Sequence, residues 1–568
     1  MTSVVGPIEA VPTTREPTPR LAPAGVGRRI NVAWICAWPA LLVASVYVWF
    51  GGTGLASPDD GFILAQSRRI LEGQIPHRDF ISPRPAGSAL LHTIDFLLPL
   101  PLLQASRLLS TIEVVAYTLA FARLAYRRPL REWSTAQVVG AVAAVFVNLH
   151  SFPLMAWHTI DGLFFVGVGL TVLHAGLSRD HRARVYAGLV LLGCALVMKQ
   201  SFVAAPIIGL AMIWQHERNN RMRLVRHANA LFAAAAPIAL YGAVITVAGG
   251  LRPMIAQLTH AQPTFGASLV SVLWQSRPQA PVLVVCAVLL CLIDVAVGRS
   301  ALSSDAAHWG ARAGLSALVV GVLLVTHTDP NDAWGRSLLL LLVVVVVWEW
   351  TTNRVTDTFG ICMIGIAWMT SLSWGYPTPR LVAGSIALLI LDRLWRGAPR
   401  LPTRSAMRAA RVATVFAVVA STAIIATAIH ERATLNAIDS GRDASIGQLA
   451  PELRGLRTDL NTTTLIRDVA SCRARYPARW TAVLPGPAVV YPAMNLDNPF
   501  SIDWVYPLEM HGSADRLVKE ARQLDRRGNY LVLVAPNVGV ANPVLDRMVQ
   551  ALTGPRDHCG GFIAIHST

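Results

Sequence analysis

Charge is what this sequence has least of. Only 14% of its 568 residues are Asp, Glu, Lys or Arg, against the roughly 25% with which a water-soluble domain covers its surface. That shortage excludes an ordinary soluble enzyme. Acidic residues are the scarcer sign, 33 against 49 basic, for a formal charge of +16. Such an excess would suit nucleic acid, but the arginines fall between apolar runs of about 16–23 residues, each long enough to cross a bilayer. They are distributed as the positive-inside rule requires, so no nucleic-acid partner is expected. Cysteine is also sparse. Cys36, Cys194, Cys286, Cys291 and Cys362 lie in apolar runs and read as small core residues. Cys472 and Cys559 lie in a more polar tail, and would be free to pair if that tail sits outside the cytoplasm. No internal repeat is visible, although secondary transporters are commonly built from two similar halves.

What is present is a polytopic α-helical membrane protein. Residues 1–30, rich in Pro, Thr and Arg, read as a disordered cytoplasmic tail. The apolar run Val32–Phe50 follows Arg28-Arg29 with no convincing cleavage site, and reads as a retained signal anchor. Further runs near 106–126, 134–150, 161–178, 184–198, 201–215, 228–250, 281–297, 312–327, 336–352, 357–373, 380–396 and 409–429 bring the expectation to about thirteen spans. Residues 86–103 contain His92 and Asp95 and end in a proline-broken run, so they are expected to lie as a helix on the outer surface. With that choice, every arginine-dense loop falls inside and the tail from His430 falls outside. The polar residues that orientation does not need then gather on the outer face.

The transmembrane domain thus covers 31–429, with an outer loop at 52–105, and an extracytoplasmic domain covers 430–568. In the latter, strand-like runs at "RWTAVLPG", "AVVYP", "NYLVLVAP" and "FIAIHS" alternate with helical patterns at "SADRLVKEARQLDRRG" and "PVLDRMVQALTG". That alternation predicts a small α/β domain. It has no phosphate-binding glycine loop and no nucleophile elbow, which makes it an accessory or acceptor-binding domain. Trp504, in "NLDNPFSIDW", falls in an expected turn.

The stretch Asp59–Pro85, "DDGFILAQSRRILEGQIPHRDFISPRP", concentrates three aspartates, four arginines and a histidine beside the membrane. It has an acidic pair (Asp59-Asp60), a short helix ending at Gly73, the turn Pro76-His77-Arg78-Asp79-Phe80, and the basic-proline element Arg84-Pro85. It resembles the first outer loop of the GT-C superfamily of membrane glycosyltransferases. That superfamily includes protein O-mannosyltransferases, lipid A aminoarabinose transferases, and actinobacterial mannosyl- and arabinofuranosyltransferases. "HTIDG" (158–162) and "MKQS" (198–201) are similar to later elements of the same pattern. This sequence departs from it in having His77 for Tyr, Arg84 for Lys, and Asp60 where Glu is commoner.

The resemblance implies a GT-C-like fold and inverting transfer of a sugar, of the mannose or arabinofuranose class, from a polyprenyl-phosphate donor. The acceptor would be a hydroxyl of an envelope glycan, glycolipid or protein. Asp59 and Asp60 become the candidate catalytic residues, Asp59 as the base that takes the acceptor's proton. Asp60 would hold a sugar hydroxyl, orient Asp59 or ligate a divalent cation, and a helix cap is the bland alternative for either aspartate. Arg84, Lys199 and Arg78 are candidates for the donor phosphate. Asp79, His158, Asp161, Trp374 and Tyr376 are candidates for the sugar or acceptor. No cofactor is required, a divalent cation is compatible, and no metal ligand set is assigned. His327, Asp329 and Asp332 read as a solvated turn. Glu113, Asp294 and Glu349, inside spans, are expected near the inner surface or paired between helices. The alternatives are a transporter or flippase for a lipid-linked sugar, and an envelope scaffold.

Overall fold

Apolar runs bounded by arginine-rich or proline-rich segments satisfy their backbone groups in a bilayer only by becoming helices, and among the described residues each expected run is helical over most of its length. The computed structural model describes residues 32–52, 54–55, 59–150, 154–220, 226–259, 279–299, 305–325, 333–353, 358–372, 378–396, 412, 415–427, 446–507, 509–510, 513–535 and 542–567. The first ten helices are α1 (Val32–Phe50), α2 (Phe62–Leu71), α3 (Gly87–Leu91), α4 (Leu102–Tyr126), α5 (Thr135–His150), α6 (His158–Leu177), α7 (Arg182–Met198), α8 (Ala204–Asn220), α9 (His227–Val247) and α10 (Leu251–Thr259). Apolar helices follow at Gln279–Arg299, Asp305–Val325, Ala333–Asn353, Thr358–Ser371, Ala383–Arg396 and Val415–Thr427. By length and apolar composition alone, α4, α6 and α9 qualify outright as membrane spans.

α4, α5, α6 and α7 pack with the helix Ala383–Arg396 around one apolar core. A polar knot fixes its register: Asn148 donates to Thr118 and Ser385 and accepts from the Gly384 amide. Asp294 pairs with Arg312 at 3.7 Å and Glu349 with Arg393 at 3.4 Å, both between helices as expected. Glu113 differs. It faces the end of the bundle that carries the first loop, against His92 and Asp161.

Residues 86–103 do not form one surface helix. α3 gives way to a 3-10 segment, His92–Leu97, and the chain then runs extended into Pro101 before α4 begins. The faces of this segment are inverted relative to a soluble protein. Leu90, Ile94, Leu97, Leu98 and Leu100 are exposed while Ser88, His92 and Asp95 are buried. An apolar exterior over a polar interior is what contact with lipid selects.

The tail carries a four-stranded sheet in the order β1-β2-β4-β3, with β1 (Trp480–Leu484) parallel to β2 (Tyr530–Val534), and β4 (Phe562–His566) antiparallel to both β2 and β3 (Arg556–Cys559). The helix Ala514–Arg527 lies on the β1–β2 crossover. "AVVYP" is not a strand; it holds the short buried helix Val490–Ala493. A brief apolar run has no period that separates strand from buried helix, and Pro487 and Pro492 could not donate to a ladder. β3, "RDHC", was invisible because its side chains are mostly exposed and polar. Cys472 and Cys559 are joined by a disulfide, closing 87 residues of chain; loops of that size gain about 4–5 kcal/mol in the chain-entropy picture.

The tail is clamped onto the first loop, and this is where most of that loop's arginines go. Arg68 reaches the Tyr491 carbonyl at 2.7 Å and Asp497 at 3.3 Å. Arg69, buried, forks onto Asp503 and donates to the Phe500 carbonyl at 2.7 Å. Leu55, Leu64, Leu102 and Leu103 enter the same apolar cluster as Leu453, Val489 and Leu533 of the tail. Gly61 makes this contact possible. Its φ is +83°, and a Cβ there would lie 2.5 Å from the Val489 Cα. Gly61→Ala is therefore expected to loosen the clamp by about 1–3 kcal/mol, measurable as roughly 5- to 150-fold faster proteolytic cleavage between bundle and tail.

Candidate active site

Asp59 and Asp60 are adjacent in sequence and opposite in environment. A turn carries them into α2, whose N-cap is Gly61 with no side-chain cap, so neither aspartate caps the helix. Asp60 is buried and pairs at 2.7 Å with Arg107 of α4, which also donates to the carbonyls of Gly51 and Gly54. Asp60 is thus neutralised in place. The Asp59 carboxylate, among the described residues, has no hydrogen bond or ion pair. Burial pushes its pKa up to about 6, with Glu509 and Asp60 adding to the rise and Arg84 opposing it.

Arg84 is held in the basic-proline element, where Ser82 Oγ donates to the Arg84 carbonyl. Arg84 is 8% exposed, and its guanidinium forks onto Glu509 of the tail at 3.0 and 2.9 Å. A guanidinium has five N–H donors, so that fork leaves others for a second anion. Lys199 caps the end of α7. Its Nζ donates to Thr159 at 3.2 Å, and burial together with Arg84 pulls its pKa down to about 7. The segments carrying the two cations are tied together beside them: the Gln200 side-chain amide donates to the Pro83 carbonyl at 2.9 Å. Gly87 lets α3 reach α7, since a Cβ there would meet the Val197 carbonyl oxygen at 2.5 Å.

His158, at the start of α6, is buried within electrostatic reach of Arg84 and Lys199. Phe62 stands edge-on to both His158 and Trp504, with ring centroids 6.4 and 6.0 Å apart. Trp504 stacks on Tyr506 at 5.1 Å. The expected turn at Trp504 therefore delivers an aromatic wall to the site. Asp59, Arg84, Lys199 and His158 form one neighbourhood, and Glu509 is the member that sequence reasoning missed. A lone glutamate in a polar tail carries no local signal of a partner 425 residues away.

The other candidates lie elsewhere. Arg78 and Asp79 pair with each other at 2.8 Å on an exposed shoulder; Arg78 also donates to the Ala248 carbonyl, and Asp79 accepts from the Ile75 amide. His77 takes a left-handed φ of 66°. Its ring is locked to Gln257 at 3.0 Å and Tyr241 at 2.7 Å, pinning the turn to α9 and α10. Asp161 is fully buried beside His92, at 3.3 Å. Trp374, Tyr376, His327, Asp329 and Asp332 lie outside the described residues.

No family model matches the chain, and no curated protein does. Among solved structures it is similar to ArnT from Cupriavidus metallidurans in the apo state, with 13% identity and a TM-score of 0.41, covering 93% of this chain and 97% of that one. A likeness at that level carries no functional argument, and the chemistry has to come from the side chains.

Proposed function

We propose that this protein is a GT-C-like membrane glycosyltransferase. It transfers a sugar of the mannose or arabinofuranose class, with inversion, from a polyprenyl-phosphate donor to a hydroxyl of an envelope glycan, glycolipid or protein. All thirteen apolar helices cross the bilayer, the N-terminus is cytoplasmic, and the loop face and tail are outside. The Cys472–Cys559 disulfide supports that orientation, because such bonds persist in oxidising compartments.

The observation that carries the reading is a desolvated carboxylate, without an ion pair among the described residues, beside the buried Arg84, which in turn neighbours the buried Lys199. Asp59 takes the proton of the acceptor hydroxyl as its oxygen attacks the anomeric carbon. The bond from that carbon to the phosphate oxygen breaks, and the electron pair leaves with the polyprenyl phosphate. Lys199, with the N–H groups of Arg84 that Glu509 does not use, stabilises the growing negative charge where water is excluded. His158 and the Phe62–Trp504 wall flank the sugar. Asp60, already neutralised by Arg107, acts as a positioning residue that holds the Asp59 turn.

The test is a pH profile of transfer by the purified protein. Asp59 works ionised, so kcat/KM should fall as pH drops through about 6; Lys199 works protonated, so it should fall again as pH rises through about 7. A bound phosphate stabilises the ammonium, so the alkaline limb of kcat should lie above that of kcat/KM. A profile flat from pH 5 to 9 in both parameters would refute these assignments.

A further inference from the structure

Behind the site, where the first turn of α6 meets the middle of α4, four ionisable side chains are sealed together. His92 and Asp161 have no exposed surface, and Asp95 and Glu113 have 1% each. Among the described residues no lysine or arginine pairs with any of the three carboxylates; His92 pairs with Asp95 and Asp161, and the Glu113 carboxyl lies against that of Asp161. Both Glu113 oxygens, Asp161 Oδ2 and Asp95 Oδ1 are buried with no hydrogen-bond donor. Three carboxylates and one imidazole carry a net charge of −2 when all are ionised, and a water-free interior does not hold that without a counter-charge.

The two sides of the His92 ring differ. Nδ1 lies 2.7 Å from Asp95 Oδ2, a normal charge-assisted hydrogen bond. Nε2 lies 3.3 Å from Asp161 Oδ1, long for such a bond. It is, however, close to the ~3.4 Å that separates two donors on a tetrahedral ion with bonds of 2.0–2.2 Å. One carboxylate on the far nitrogen, fixing the tautomer, and two more beside the near nitrogen is the arrangement that orients a metal-binding histidine. His92 Nε2, a Glu113 oxygen and an Asp161 oxygen all lie within 4.8 Å of one another. Glu113, whose carboxyl lies against that of Asp161 and whose oxygens have no donor, supplies the third ligand atom.

We propose that His92, Glu113 and Asp161 bind one divalent transition ion of the zinc class, with Asp95 orienting His92. The imidazole donor selects against magnesium and calcium, which prefer all-oxygen sets. The site ties the 3-10 segment to two core helices and lies within reach of His158 through His92, so the ion would stiffen the wall behind the sugar. It does not depend on the transfer reaction assigned above.

The test uses full-length protein purified in detergent without chelator, with elemental analysis followed by titration of chelator-stripped protein with zinc chloride. Expected is about one zinc per chain and a melting midpoint that rises on adding zinc. Glu113→Gln keeps the shape and removes the anionic donor; it should fold, retain no zinc and lose the zinc-dependent shift. Asp95→Asn should weaken zinc binding by 10- to 100-fold. If wild-type protein retains no zinc and shows no shift, the cluster holds protons between Glu113 and Asp161 and the proposal is overturned. Equal zinc binding by Glu113→Gln also overturns it. Because metal content and melting are read without substrate, loss of the site and loss of the proposed activity are distinguishable.

Discussion

Asp59→Asn is expected to lower sugar transfer by about 10²–10⁴-fold, the range contributed by a positioned general base, while making the protein more stable at neutral pH. The second half follows from the sign of the shift. The folded-state pKa of Asp59, about 6, lies above its ordinary value of 3.8. Folding is therefore favoured while the group is protonated and penalised as pH rises through that window. The penalty at pH 7 is on the order of 3 kcal/mol, and asparagine removes it. Asp60→Asn should behave oppositely: it leaves Arg107 buried without its counter-charge, at a cost of about 3–5 kcal/mol. Transfer assays paired with melting curves check both. An Asp59→Asn protein that is inactive because it is unfolded would contradict the assignment.

Breaking the Arg84–Glu509 fork is expected to cost as much stability as Asp60→Asn and to act on the tail's docking as well. Glu509→Ala strands a buried guanidinium, at about 3–5 kcal/mol, and should undock the tail from the first loop. The double variant Arg84→Met, Glu509→Leu separates the clamp from the chemistry. Replacing a buried ion pair with apolar residues of similar volume is often neutral or stabilising, so the double variant should keep the tail docked. Transfer should still fail, because the phosphate has lost its guanidinium. Proteolysis reports docking and the transfer assay reports chemistry. A docked, fully active double variant would reduce Arg84 to a strut.

The helices were legible because apolar length and arginine placement are local signals. The disulfide was legible only in part: Cys472 and Cys559 stood out as the two cysteines of the polar tail, but their pairing hung on which side of the membrane the tail occupies. The split between Asp59 and Asp60 was not, since it is set by Arg107, 47 residues later and on another helix. Of the first-loop arginines only Arg78 and Arg84 drew a role from the sequence; Arg68 and Arg69 bind the tail, with partners more than 420 residues away. Glu113 stood out as a carboxylate in an apolar run. Its place beside His92 depended on residues 86–103 folding back over the bundle with their polar side inward, which no periodicity announces.

The most direct measurement is the fate of the donor. Purified protein is incubated with a labelled polyprenyl-phosphate sugar and envelope membranes as acceptor, and the lipid fraction is followed by mass spectrometry. The expected result is free polyprenyl phosphate formed one-for-one with new, inverted glycosidic linkages, and neither product above background with Asp59→Asn. Equal release by wild type and Asp59→Asn, or donor that crosses the bilayer intact, would contradict it.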